Sequence, residues 1–248
     1  MLDGLRTARG VFRSLRIYYG DKERSAAMDR LYRRFVNPGD LVFDIGAHVG
    51  DRTTALRRLD ARVVALEPQP ALTRMLRILY GRDPNIVIEA AAVGAAQGVV
   101  NLNLNIDNPT VATASLDFID AAAGAPGWTD QVWTESLQVP LTTLDALIAR
   151  HGKPAFIKID VEGFEAEVLA GLTQAVPALS FEFTTIQRDG ARACIARCAA
   201  LGYGKFNAAV GESQVFEHAD WTDASAISRW LAELPMETNS GDIYAYLG

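Results

Sequence analysis

Two sets of side chains in this sequence have the types and spacing to do chemistry. The first is Val42-Phe43-Asp44-Ile45-Gly46-Ala47-His48-Val49-Gly50, an apolar run that ends on an acid and turns on glycine into a helical pattern. Gly46 lets the backbone turn tightly and approach a ligand, and Gly50 permits close helix–strand packing. The helix that follows directs its free N–H groups at the same place. Glu67 closes the next apolar run, 23 residues after Asp44. An acid about 20 residues beyond a glycine turn is placed to accept hydrogen bonds from both hydroxyls of a ribose. The second set is Lys158-Ile159-Asp160-Val161-Glu162, with Glu182 near the end of the neighbouring apolar run. Period two puts Lys158 and Asp160 on one strand face. Asp160 falls at the strand's carboxyl end, where open α/β sheets bind their ligands.

Ribose binding suits NAD and S-adenosylmethionine (SAM) equally, so Glu67 does not choose between them. Asp44 helps to choose. An anion at the strand end would repel a pyrophosphate seated on the turn, whereas it suits the ammonium and sulfonium of SAM. His48 also stands where the dinucleotide fingerprint G-x-G-x-x-G needs its central glycine. The residues favour SAM, with S-adenosylhomocysteine as product. The cofactor-binding set is Asp44, Gly46, Ala47, His48, Gly50, Glu67, Pro68, Ala92 and Asp160. Methyl transfer from such a sulfonium is an in-line displacement that needs aligned partners and a site without water. A hydroxyl, as weak an acid as water at a pKa of roughly 15.7, gains from a general base. Asp160 is the first choice for base or acceptor-orienting group, followed by Glu162 and Glu182. His48, in the cofactor turn, could reach an acceptor hydroxyl. Each has a structural alternative: Lys158 neutralising Glu182 or Asp160, Glu162 serving the next helix N-terminus, and His48 acting as a turn residue that tolerates left-handed backbone. One rival reading is an NAD(P)-dependent Rossmann oxidoreductase or epimerase; Tyr203 and Tyr244 are followed four on by Asn207 and Gly248, not by the lysine of a Tyr-x-x-x-Lys pair. The other is a non-catalytic SAM-binding partner in a biosynthetic complex.

These residues resemble the FkbM-type SAM-dependent methyltransferases. The likeness is carried by Asp44-Ile45-Gly46-Ala47-His48-Val49-Gly50, by Leu66-Glu67-Pro68, and above all by Lys158-Ile159-Asp160-Val161-Glu162-Gly163-Phe164-Glu165. Val139-Pro140-Leu141-Thr142-Thr143-Leu144-Asp145 resembles the segment that precedes the last motif. The match extends over about residues 38–185, with a weaker tail through Ile243-Tyr244. His48 departs from it, standing where the family often shows asparagine. The resemblance implies a class I methyltransferase fold, SAM as cofactor, and O-methylation of a hydroxyl on a sugar, polyketide or other metabolite.

The elements that must position these residues can be read from hydropathy. Residues 41–43, 62–66, 86–88, 156–159 and 179–183 read as core strands, with helices over about 51–60, 69–80, 142–151, 163–175 and 188–201. Such alternation predicts an α/β, Rossmann-like fold: a mostly parallel seven-stranded sheet, helices on both faces, and an antiparallel C-terminal strand pair near 203–206 and 242–247. Val100, Leu102, Leu104 and Ile106 alternate with asparagines and predict an extra strand with one wet face. Residues 107–138, with Trp128 and Trp133, form a long connection close to the ligand end and are the expected substrate cover. Phe164, Val168 and Leu172 read as one buried helix stripe. Residues 1–36 form a basic helical extension or lid, with Leu2, Leu5, Phe12 and Leu15 at helical spacing, and 37–248 the SAM-dependent methyltransferase domain.

Composition bounds the rest. The chain has 248 residues, 49% of them hydrophobic and 22% charged, enough to bury a core without disulfides or metal. A net charge of −6 argues against a nucleic-acid binder, although residues 1–34 carry +5 and the remainder −11. No run approaches the about 20 apolar residues of a membrane span, and the N-terminus lacks a secretory core. Cys194 and Cys198, four apart on a helix, read as buried thiols of a cytoplasmic protein. His48, His151 and His218 share no metal-ligand spacing, so no metal site is expected, magnesium on Asp160 being the alternative. The expected partner is a small-molecule or saccharide hydroxyl acceptor. Oligomeric state is not legible.

Overall fold

The computed structural model describes residues 21–248; the Leu2–Leu15 stripe lies outside them. Helix α1 (Lys22–Tyr32) is capped by Asp21, whose carboxylate accepts from the backbone N–H groups of Glu23 and Arg24. Met28, Leu31 and Tyr32 on this helix, with Phe35 and Val36 after it, are buried against the main sheet. Strands β1 (Leu41–Ile45), β2 (Arg62–Leu66) and β3 (Ile86–Glu89) alternate with helices α2 (Asp51–Arg58) and α3 (Pro70–Tyr80). A short β4 (Ala92–Val93), β5 (Gly98–Leu104), α4 (Leu116–Ala122) and β6 (Glu135–Thr142) come next. The second half runs α5 (Leu144–His151), β7 (Phe156–Ile159), α6 (Glu165–Ala170), β8 (Ala178–Thr184), α7 (Arg188–Ala200), β9 (Lys205–Val210), α8 (Ala224–Glu233) and β10 (Ser240–Tyr246).

The main sheet has seven strands in the order β3-β2-β1-β7-β8-β10-β9. Its first five are parallel, and β10 runs antiparallel between β8 and β9. The fold is therefore the expected Rossmann-like class I arrangement. Val42, Phe43, Phe156, Ile157, Ile159 and Phe181 are at most 0% exposed, because a parallel strand covered on both faces must be apolar along its whole length. Strand order reverses between β1 and β7, which opens a crevice at their carboxyl ends.

Three details differ from the sequence reading. The helix expected over 163–175 is a short one, Glu165–Ala170, because the chain leaves it at Gly171. Residues 135–138 belong to β6, which pairs antiparallel with β5 and parallel with β4 in a separate three-stranded sheet. The irregular part of the long connection is thus shorter than 107–138. It carries its own small core, in which Phe118 meets Trp128 edge to face at 5.1 Å, with Val111 and Ala122 beside them.

Candidate functional site

The glycine turn after β1 is pinned by its neighbours. Gly46 and Ala47 donate their N–H groups to the carbonyl of Leu66 at the end of β2, at 3.0 and 2.9 Å. Gly46 has φ +82°, and a Cβ there would lie 1.8 Å from the carbonyl oxygen of Asp160. Only glycine allows this turn and strand β7 to approach so closely. Gly50, at φ +81°, packs against Leu76 and Tyr80 of α3, so its small size serves a helix–helix contact rather than the helix–strand contact expected. His48 takes the left-handed conformation its position suggested, with φ 47°.

Glu67 is 3% exposed, and its two carboxylate oxygens each accept one backbone N–H, from His48 at 2.9 Å and from Gln69 at 2.8 Å. Burial raises its pKa to about 8, against the lowering effect of those two bonds. Asp44 is 1% exposed and accepts from Thr53 Oγ1 at 2.5 Å. Burial lifts it to about 6.

Lys158 is wholly buried and donates to Asp242 Oδ1 at 2.7 Å, Asp160 Oδ2 at 3.1 Å and the carbonyl of Ile159 at 3.3 Å. It does not pair with Glu182. Burial opposes its charge, but the carboxylates of Asp160 and Asp242 prevail and hold its pKa well above the usual lysine value. Asp160 is lowered in turn, the ammonium of Lys158 and the guanidinium of Arg52 outweighing burial. Glu162, in the left-handed region at φ 56°, does not serve the next helix. Glu165 instead closes the turn before the helix, accepting from Val161 N–H at 2.9 Å and Gly163 N–H at 3.3 Å. Oxygens of Asp160, Glu162 and Glu182 lie within 4.8 Å of one another. Burial, then the charge of Asp160, pushes both glutamates well above the usual carboxylate range, favouring their uncharged forms.

These groups converge on one cavity that opens to solvent, with about 110 Å³ of enclosed free volume. Of the residues picked from sequence, Gly46, His48, Glu67, Pro68, Asp160, Glu162 and Glu182 line it. Four do not. Asp44 lies beneath the turn, Ala47 and Gly50 behind it, and Ala92 is buried in the three-stranded sheet. Phe164, read as core, is half-buried and forms part of the wall. Thr110, Ala112 and Ala114 of the long connection close the other side, with Thr110 Oγ1 3.4 Å from His48 Nε2. Burial lowers the pKa of His48 and so favours its neutral ring. At the rim, Arg52 bonds Asp51 at 2.9 Å and Glu212 at 3.0 Å, and Arg24 of α1 reaches the same two acids at 2.8 Å. Sequence reasoning missed this network and Asp242. The signal for Asp242 was an acid inside an apolar strand run, since a buried lysine requires a counter-ion. His151, at the end of α5, meets Glu89 at 2.6 Å.

Residues 44–234 match the family described as Methyltransferase FkbM domain. The hexuronic acid methyltransferase AglP of Haloferax volcanii is 28% identical over 160 residues, 63% of this chain and 60% of that protein. The chain therefore spans under two thirds of that relative's length. Among solved structures, the magnesium protoporphyrin IX methyltransferase ChlM of Synechocystis with bound SAM aligns over 96% of this chain and 84% of its own, at 10% identity and a TM-score of 0.46. A SAM-dependent O-methyltransferase of Thermotoga maritima aligns over 91% and 64%, at 10% identity and 0.45. The family match covers more than half of the chain, which belongs to the FkbM methyltransferases.

Proposed function

We propose that this FkbM-family methyltransferase uses SAM to methylate a hydroxyl oxygen of a saccharide or a similarly hydroxylated small metabolite. The observation that carries the reading is the convergence of the Gly46 turn, Glu67 and the three carboxylates on one cavity at the switch point of the sheet. The donor set fits the cofactor. Each oxygen of Glu67 already holds one backbone N–H and keeps a lone pair, which matches the paired hydroxyls of a ribose. When bound, the cofactor supplies an electrophilic methyl on a sulfonium.

The chain's own residues supply the rest. Asp160 offers one oxygen to Lys158, while Oδ1 has no bond to the described residues and is available for the acceptor's proton. Glu162 and Glu182, uncharged, can donate to and accept from neighbouring hydroxyls of a polyol. Leu102, Ala112, Ala114 and Phe164 keep water from the reacting atoms. A saccharide acceptor is also supported by the Haloferax volcanii relative, a hexuronic acid methyltransferase.

Calorimetric titration with S-adenosylhomocysteine, with NAD and NADP in parallel, tests the cofactor. Transfer of labelled methyl to neutral sugars, polyols and uronic acids tests the acceptor. Binding of S-adenosylhomocysteine alone, followed by label in a hydroxylated acceptor, is the expected outcome. Binding without turnover on any of them would leave a SAM-binding partner, and binding of a dinucleotide alone would sink the reading.

A further inference from the structure

Lys158 meets two acids, and only one of them faces the cavity. Asp242, 5% exposed, comes from β10, 84 residues beyond Lys158 in the chain, and sits opposite Glu182 in the antiparallel register. Its Oδ1 is 2.7 Å from Lys158 Nζ, closer than Asp160 Oδ2 at 3.1 Å. With the Ile159 carbonyl, all three ammonium protons are engaged. We propose that Asp242 is a positioning residue for methyl transfer: it anchors the Lys158 ammonium below the cavity floor, so that Asp160 shares that charge and keeps Oδ1 available for the acceptor's proton.

The geometry gives Asp242 this role by exclusion and by balance. An ammonium with every proton committed cannot swing up into the cavity and compete for the acceptor oxygen. One cation between two carboxylates also leaves Asp160 only partly neutralised, whereas the same cation facing Asp160 alone would make it a poorer base. The groups facing Asp160 are Arg52 from α2, Glu212 beyond β9, His48, Glu162, Glu165 and Glu182. Those facing Lys158 and Asp242 are Asp44 from β1, Arg52, Tyr32 from α1, Tyr244 on β10 and, again, Glu162, Glu165 and Glu182. A change at Asp242 leaves all of them in place.

The inference rests on the methyl-transfer reading, and the test separates the two. In protein labelled with ¹³C at the aspartate carboxyls, the Asp160 signal is assigned by its loss in Asp160→Asn. Its titration midpoint is expected to fall by about half a pH unit or more in Asp242→Asn and to return in Asp242→Glu, which keeps the charge. On an acceptor found in the screen, kcat of Asp242→Asn falls about threefold or more and the acid limb of the pH profile shifts with the midpoint. KM and the affinity for S-adenosylhomocysteine stay within about twofold. An unmoved midpoint and limb with only a lower melting temperature would make Asp242 structural and overturn the proposal. Should Asp242→Asn not fold, Asp242→Glu decides: near-wild-type kcat and midpoint support it, and a folded variant with impaired kcat at an unmoved midpoint overturns it. Wild-type protein that binds no S-adenosylhomocysteine would overturn the methyl-transfer reading, although the Asp160 titration could still be read.

Discussion

Replacing Glu67 by glutamine tests the ribose assignment at the level of single atoms. The native carboxylate holds His48 N–H on one oxygen and Gln69 N–H on the other. Glutamine keeps one oxygen and turns an NH₂ toward the second donor, which loses its acceptor at a cost of about 1–3 kcal/mol in stability. It also removes the charge that would receive the ribose hydroxyls, worth about 1.5–3 kcal/mol, or roughly 10- to 150-fold in affinity for S-adenosylhomocysteine. The pH dependence is a sharper test. Burial raises Glu67 to about 8, so near pH 7 about nine-tenths of the free protein carries the proton. Two hydroxyl donors favour the ionised form; binding near pH 7 should then release close to one proton, and affinity should rise from about pH 6 to 8. For folding the sign is opposite. A carboxyl raised above its unfolded value near 4.5 contributes stability below about pH 4.5 and loses it as pH climbs through about 8, and Glu67→Gln should flatten that slope. Calorimetry in two buffers of different ionisation enthalpy reads the proton directly. Wild-type binding with no proton release and no pH dependence, or a glutamine variant within about twofold in affinity, would remove Glu67 from the cofactor site.

Gly46→Ala should lower the melting temperature by about 6–12 °C, because a Cβ at positive φ, 1.8 Å from the Asp160 carbonyl, costs about 3 kcal/mol or more; a thermal melt within experimental scatter of wild type would refute the close approach. Asp160→Asn keeps the bond from Lys158 and should spare the fold while lowering kcat about 10²- to 10⁴-fold. Full turnover on a true acceptor would exclude it as base. Trp128→Phe deletes the 2.8 Å bond from Trp128 Nε1 to Asn239 Oδ1 that ties down the long connection, at about 1 kcal/mol. If that connection covers the acceptor, KM for the acceptor rises while affinity for S-adenosylhomocysteine holds; unchanged KM would separate the segment from acceptor binding.

What could be read from sequence was local. The Asp44–Gly50 turn, Glu67 at the next strand end and the Lys158-x-Asp160 spacing each lie within one strand and its exit, where periodicity and turn chemistry decide the geometry. Six of the seven residues picked from sequence that line the cavity follow a core strand within three positions, and Glu182 lies inside β8, two residues before its end. The partners supplied across the sheet were beyond that reach. Asp242 depends on β10 inserting antiparallel between β8 and β9, and Glu212 on the loop that leaves β9. Phe164 misled because the stripe it shares with Val168 and Leu172 is helical in spacing, yet Phe164 precedes the helix and turns to the cavity. Ala92, counted in the cofactor set, lies instead in β4 of the smaller sheet, into which the chain bends soon after β3.

On the proposed reading, the charge distribution in the cavity has a consequence for the reaction. Methyl transfer from a sulfonium to a hydroxyl abolishes the positive charge on sulfur and frees a proton. A cavity with Asp160, Glu162 and Glu182 all ionised would hold that positive charge in place, and the reaction would run against the attraction. Burial instead favours uncharged Glu162 and Glu182, while Lys158 offsets much of the charge of Asp160 and Asp242. The field opposing loss of the sulfonium charge is then small, and one carboxylate oxygen remains to receive the proton. Three acids packed within 4.8 Å thus serve the chemistry best when only one of them is ionised, and raising the pH far enough to ionise Glu162 and Glu182 should slow methyl transfer even though Asp160 remains a competent base.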